Sequence, residues 1–99
     1  MNKGYWVVAY RSISDESALK TYGELAGAAI AANGGTLLVR TTGGLEVHEA
    51  GLKQRTVVVE FPSFEQAQRT YASEAYQVAL RALGTAAERD FRIVEGVDQ

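Results

Sequence analysis

The 99-residue sequence contains no cysteine. Disulfides, thiol nucleophiles, iron–sulfur clusters and zinc–thiolate sites are thereby excluded. Histidine is nearly absent too. His48 stands alone, so no histidine cluster can hold a metal, and a Ser/His/Asp triad would have to be built on this one residue. It follows Glu46 on the same parity of an alternating segment and reads as a solvated strand residue. Neither a metal nor a cofactor is expected. No apolar run approaches the ~18 residues of a membrane span. The apolar run near the start carries one lysine and is followed by polar "RSISDES", which fits a strand and not a secretory leader. Charge of one sign is lacking as well. Ten Lys and Arg stand against twelve Asp and Glu, for a net charge of −2. No basic stripe interleaves with aromatics, so nucleic acid is not an expected partner. The absence of disulfides fits a cytoplasmic protein.

What is present is ordinary for a globular chain: 46% hydrophobic and 22% charged residues, enough for one domain over residues 1–99 and no second one. A domain of this size has a small stability margin, and a partner that covers apolar surface would widen it.

"GYWVVAYRSI", Gly4–Ile13, is aromatic and β-branched, and apolar on both parities over Tyr5–Tyr10, the mark of a strand buried on both faces. A helix follows. Ser14 or Asp15 can cap it, acids crowd its first turn, and Ala18, Leu19, Tyr22, Ala26, Ala29 and Ile30 recur at helical spacing. Gly34 suits its C-terminal end. The apolar face is mostly small, so this helix either lies close to a sheet or leaves space above it. "GTLLVR", Gly35–Arg40, reads as a strand, Thr41–Gly44 as a turn or bulge, and Leu45–Glu49 as a half-exposed strand. Arg55–Phe61 is again apolar on both parities through its middle and reads as central. Ser63 with Gln66 matches a capping box at the start of the next helix, in which Ser73 opens a new segment near Glu74. Arg89–Val97 is the last strand.

The order β-α-β-β-α-β is that of a ferredoxin-like α+β fold. Right-handed crossovers place the first and third main strands in the centre of a four-stranded antiparallel sheet, with the helices on one face. The central strands are apolar on both faces, yet nothing in the chain covers the second one. A second copy packed sheet to sheet is the simplest solution, so a homodimer is expected.

Candidate site residues are few. The pairs Gly34-Gly35 and Gly43-Gly44 do not sit between a strand and a following helix, as a phosphate cradle requires, and read as punctuation. Glu60 at the end of a central strand is paired with an arginine, exposed at the strand end, or a functional carboxylate with a raised pKa. Tyr22, Tyr71 and Tyr76 lie on the sheet-facing sides of the helices. They either pack with satisfied hydroxyls or wall a pocket over Ala26 and Ala29. In the pocket reading Arg40 and Arg81 offer guanidinium donors to an anionic or carbonyl-bearing ligand.

Gly4-Tyr5-Trp6, Glu60-Phe61-Pro62-Ser63, Tyr71, Ser73–Tyr76 and Arg81 carry a resemblance, nearly end to end, to the small bacterial proteins of domain-of-unknown-function family DUF1330. The resemblance implies a dimeric α+β barrel: a ferredoxin-like homodimer in which two sheets form the barrel. The wider superfamily includes cofactor-independent monooxygenases, haem proteins and isomerising enzymes. The chain departs from the family pattern in three places. Thr41-Thr42 separates Arg40 from Gly43-Gly44, Leu19 stands where tyrosine is frequent, and His48 stands where an aliphatic residue is common. No helix carries the histidine a haem would need. The resulting expectation is a small-molecule enzyme of oxygenase or isomerase type, or a binder of a small organic acid, using Tyr22, Arg40, Glu60, Tyr71, Tyr76 and Arg81. The alternative is a non-catalytic homodimeric interaction module in which these residues only pack.

Overall fold

The computed structural model describes residues 2–41 and 43–98. The elements run β1 (Gly4–Ile13), α1 (Glu16–Ala32), β2 (Thr36–Arg40), β3 (Thr56–Phe61), α2 (Phe64–Ala72), α3 (Glu74–Leu83) and β4 (Ala87–Glu95). All strand pairs are antiparallel and the sheet order is β2-β3-β1-β4, with β1 and β3 central. The fold is α+β of the ferredoxin-like class.

Local chemistry accounts for the boundaries. Asp15 accepts the Ala18 N–H at 3.1 Å and opens α1. Gly34, at φ +78°, takes the left-handed conformation that ends it. Ser63 accepts the Gln66 N–H at 3.1 Å, half of the expected capping box. The other half is replaced: the Gln66 amide donates to Asn33 O at 3.0 Å and ties α2 to the end of α1. Ser73 divides α2 from α3. Its hydroxyl donates to Thr70 O at 2.7 Å and accepts the Tyr76 N–H at 3.3 Å, closing one helix and opening the next. No helix among the described residues is long and apolar enough to cross a membrane.

One expected strand is not formed. Leu45–Glu49 is irregular and lies in the connection between β2 and β3. Alternation alone does not make a strand: the segment pairs with neither free edge of the sheet, β2 or β4. Of the Thr41–Gly44 turn, Thr42 lies outside the described residues.

The helix-covered face of the sheet carries Trp6, Val8, Tyr10, Val57, Val59 and Phe61, all buried or nearly so. Trp6 is the hub. Its ring centroid lies 4.8 Å from that of Tyr76, 5.0 Å from Phe61 and 5.2 Å from Phe91, and its indole N–H donates to Ala67 O at 2.9 Å. These rings fill the space beneath α2 and α3. On the opposite face Tyr5, Val7, Ala9, Val39, Val58 and Val94 share one surface by register, and among the described residues no helix lies over them. Val39 and Val94 are exposed.

A bulge sets which residues of β2 face the helices. Leu37 pairs with Val59, but Val39 pairs with Val58 and Arg40 with Val57, so one residue is inserted between Leu37 and Val39. Without it, alternation would turn Arg40 to the open face. With it, Arg40 shares the helix-covered face with Val57, a shift that bulges commonly produce beside functional sites.

Candidate functional site

Under α1 the packing is incomplete. A cavity of about 100 Å³ lies between α1 and the sheet, walled by Trp6, Val8, Val57, Val59 and Phe91 below and by Leu19, Gly23, Ala26, Gly27 and Ile30 above. It exists because α1 presents small residues here. A Cβ added to Gly23 or Gly27 would meet no atom within 4 Å. The cavity opens beside α1 into an outer groove that shares Leu19, Gly23, Gly27, Arg40 and Arg55 with it.

Three arginines reach this cavity: Arg40, Arg55 and Arg89. Register explains their convergence. Arg89 on β4 is the cross-strand partner of Tyr10 on β1, and Tyr10 donates its N–H to Arg55 O at 2.9 Å. Arg55, just before β3, Tyr10 and Arg89 therefore form a row across the sheet, with Arg40 brought to the same face by the bulge in β2. The guanidinium carbons of Arg55 and Arg89 lie 5.9 and 5.5 Å from the Tyr10 ring centroid. Arg89 also stands 4.9 Å from the Tyr22 ring and 5.2 Å from the Phe91 ring, a cage of π faces that holds a cation without neutralising it.

Arg89 donates from Nη1 to the Tyr22 hydroxyl at 2.9 Å, and that hydroxyl lies 2.7 Å from the Tyr76 hydroxyl. Tyr76 is fully buried. Its own proton is satisfied if it donates to Tyr22, whose oxygen then accepts from both neighbours. In that arrangement the Tyr22 proton remains to be donated into the cavity that Tyr22 lines. Burial raises the Tyr76 pKa far above the usual phenol range, and burial likewise raises that of Tyr10 against the opposing effect of Arg89. Both are neutral at physiological pH. For Arg89, burial works against the charge, but the Tyr22 and Tyr76 oxygens outweigh it and its pKa moves up.

Away from the cavity the arginines have local partners, Arg69 donating to Gln66 Oε1 at 2.8 Å. Arg11, Arg81 and Arg92 each pair with a carboxylate, at 3.2, 3.3 and 3.0 Å. Among the described residues no carboxylate lies at ion-pair distance from Arg40, Arg55 or Arg89.

Of the residues expected from sequence, the structure brings Tyr22 and Arg40 to the cavity, with Tyr76 directly behind Tyr22. It does not bring Glu60, Tyr71 or Arg81 there. Glu60 is on the opposite face of the sheet, where it accepts from the Tyr5 hydroxyl at 3.0 Å and pairs with Lys3 at 3.4 Å. Its partners are thus a lysine and a tyrosine, not an arginine. Tyr71 packs in the aromatic cluster, 5.1 Å from Phe91 and 5.2 Å from Tyr76. Arg81 is exposed and pairs along its own helix with Glu74. His48 is exposed beside Glu46 at 2.6 Å, off any strand. Sequence reasoning missed Arg55, Arg89 and Tyr10. The available signal was parity: Arg89 is two residues before Phe91 and Arg55 two before Val57, on the face those apolar residues define.

The family described as domain of unknown function DUF1330 matches residues 3–97, and the chain belongs to it. No curated protein sequence matches the chain. Among solved structures, the chain is similar to the RPA0582 protein of unknown function from Rhodopseudomonas palustris, with TM-score 0.74 and 13% identity over 99% of this chain and 85% of that one. It is also similar to a candidate antibiotic biosynthesis monooxygenase from Caulobacter crescentus CB15, with TM-score 0.60 and 15% identity over 98% of this chain and 92% of that one. At these identities the likeness is one of fold.

Proposed function

We propose that this member of the DUF1330 family binds a small organic acid in the cavity beneath α1, with Arg89 and Tyr22 holding its anionic group and Arg40 and Arg55 at the mouth. One observation carries the reading: three arginines gather at one cavity with no carboxylate at ion-pair distance among the described residues, while Arg11, Arg81 and Arg92 pair with carboxylates and Arg69 with the Gln66 amide. Like charges brought together in a partly dehydrated space repel, and an anionic ligand relieves that cost.

Chemistry at such a site would follow from the same groups. A bound enolisable acid would place developing enolate charge against Arg89 and the Tyr22 hydroxyl, and hydrogen-bond donors already in place stabilise that charge. Tyr22 is then the group that moves a proton. This is the cofactor-independent, oxygenase or isomerase type of reaction, and likeness of fold to a candidate monooxygenase is compatible with it but does not carry it. Glu60, on the far face, has no part in it.

The open sheet face supports a second part of the reading. Tyr5, Val7, Ala9, Val39, Val58 and Val94 form an apolar patch there, shared by register with Glu60, Asp90 and Arg92, and such a patch is a candidate interface. A second copy of this chain, packed sheet to sheet, would cover it and complete a barrel.

The test of the anion site is calorimetric titration with propionate and butyrate, on wild type, Arg89→Gln and Arg81→Gln. A hydrogen bond to a charged group contributes ~1.5–3 kcal/mol, so Arg89→Gln is expected to weaken binding by ~10- to 100-fold. Arg81→Gln should bind as wild type does. Equal affinity in wild type and Arg89→Gln, or no binding of these acids or of the dicarboxylates of similar length in wild type, removes the proposal.

A further inference from the structure

The cations of the cavity are not equivalent, and their layout narrows the ligand. Arg89 lines the inner cavity only. Arg40 and Arg55 line both the cavity and the outer groove. There are thus two cationic positions, one deep and one at the mouth. The deep position is built: Arg89 is held by the Tyr22 hydroxyl and by the faces of Tyr10, Tyr22 and Phe91. At the mouth, Arg55 is half-buried against the edge of the Tyr10 site, and Arg40 is exposed at the end of β2. Tyr10 stands between Arg89 and Arg55, its ring 5.5 and 5.9 Å from their guanidinium carbons. Beside that ring the sheet-side wall of the cavity is apolar, with Val8, Val57 and Val59.

Resting on the anion-site reading above, we propose that the ligand is a short-chain dianion. One acidic group sits at Arg89 and Tyr22, the other at Arg40 and Arg55, and a short apolar chain joins them. A monoanion would satisfy the deep position and leave the two mouth arginines facing each other's charge. A dianion neutralises both ends. Size sets the chain length. A cavity of about 100 Å³ holds only a few water-sized groups. That accommodates one carboxylate and a short carbon stem, with the second carboxylate in the groove. The groove also holds Lys20, Glu16 and Glu24 from α1. With Arg40 and Arg55 counted, cations outnumber acids at the mouth, and they do so without any acid paired to either arginine among the described residues. The Glu16 and Glu24 carboxylates limit the entry of bulkier or more highly charged anions, which favours two charges over three.

The test compares diacids with monoacids of equal carbon number: malonate with propionate, succinate with butyrate, glutarate with valerate. Each is titrated calorimetrically at matched ionic strength into wild type and into the Arg40→Gln/Arg55→Gln double variant. In wild type at least one diacid is expected to bind ~10-fold tighter than its monoacid, the increment of one added charge-assisted contact at a partly exposed site. In the double variant that preference falls below about fivefold while monoacid affinity is retained. If the double variant does not fold, Arg40→Gln alone, at an exposed strand end, carries the same comparison. The proposal is overturned if no diacid exceeds its monoacid by about fivefold in wild type, or if a larger preference survives in the variant. Monoacid binding that depends on Arg89 but shows no diacid preference leaves the anion site standing and removes only the dianion. Absence of binding by every acid removes both.

Discussion

Gly23 and Gly27 lie in the interior of α1, one turn apart, where glycine is a poor choice. An interior glycine costs ~1 kcal/mol relative to alanine, because it loses more backbone freedom on folding. Glycine is retained in helices where a neighbouring backbone approaches too closely for a side chain. Neither residue meets that condition, since an added Cβ would find no atom within 4 Å at either position. What a side chain would enter is the cavity and its groove, which both residues line. Both glycines are exposed where the cavity meets its groove, so the sequence gives up helix stability at two positions on the cavity mouth, a trade that proteins make at functional sites.

The magnitudes follow. Gly23→Ala and Gly27→Ala should each stabilise the protein by ~0.5–1 kcal/mol. In a domain of about this size, 1 kcal/mol raises Tm by ~4–8 °C. A methyl group is close in size to a water molecule. Two methyls would therefore take a large part of a cavity of about 100 Å³. The double variant should melt higher than wild type and bind succinate more weakly, a pairing that simple destabilisation cannot produce. Differential scanning calorimetry and titration on the same preparations measure both. A lowered Tm would mean that the glycines answer a steric demand that the chain by itself does not reveal. A raised Tm with succinate affinity unchanged would mean that the space beneath α1 is not where the ligand sits. Either result refutes the reasoning.

Two further outcomes are expected. Burial holds the Tyr76 and Tyr10 hydroxyls neutral in the folded state beyond the usual phenol value, so the stability they contribute is fully present below about pH 10 and lost as pH rises further, because the unfolded chain releases these protons first; denaturant melts at rising pH should show this decline, and Tyr76→Phe should flatten it, whereas a slope unchanged in Tyr76→Phe contradicts the assignment. Val58→Lys, which sets a charge opposite Val7 in the middle of the open sheet face, is expected to turn a dimer into a monomer by sedimentation at micromolar concentration; a wild type that is already monomeric there, or a variant that remains dimeric, rules out that face as the interface.

Much of the fold was legible because several levels of the sequence agree. Tyr5–Tyr10 and Val57–Val59 are apolar on both parities, Ser63 and Ser73 stand where helices begin, and one right-handed topology satisfies them all. The illegible part was the connection after β2. Leu45–Glu49 alternates like a strand, but a strand forms only when it docks on a partner, and this segment pairs with neither free edge, β2 or β4. The bulge at Leu38 was equally hidden. It leaves no mark beyond Thr36–Arg40 being slightly too apolar for an edge strand, yet it decides the side of the sheet on which Arg40 stands.

The site was less legible than the fold for a related reason. Its residues come from the ends of four strands and one face of a helix, so no contiguous motif records it. Tyr22 and Arg40 stood out by residue type. Arg81 stood out for the same reason, but a helical arginine with Glu74 two turns before it had a local partner from the start. Arg89 reads from sequence as a surface residue in the acidic and basic run Glu88–Asp90. Only cross-strand register sets it against Tyr10, and only the packing of α1 over the sheet brings Tyr22 to its guanidinium. The general sign of such a residue is an arginine on the apolar parity of a strand. That position dehydrates the charge, and a dehydrated charge without a carboxylate needs either π faces, a ligand, or both. Arg89 has the π faces; its affinity for an acid decides whether it also has the ligand.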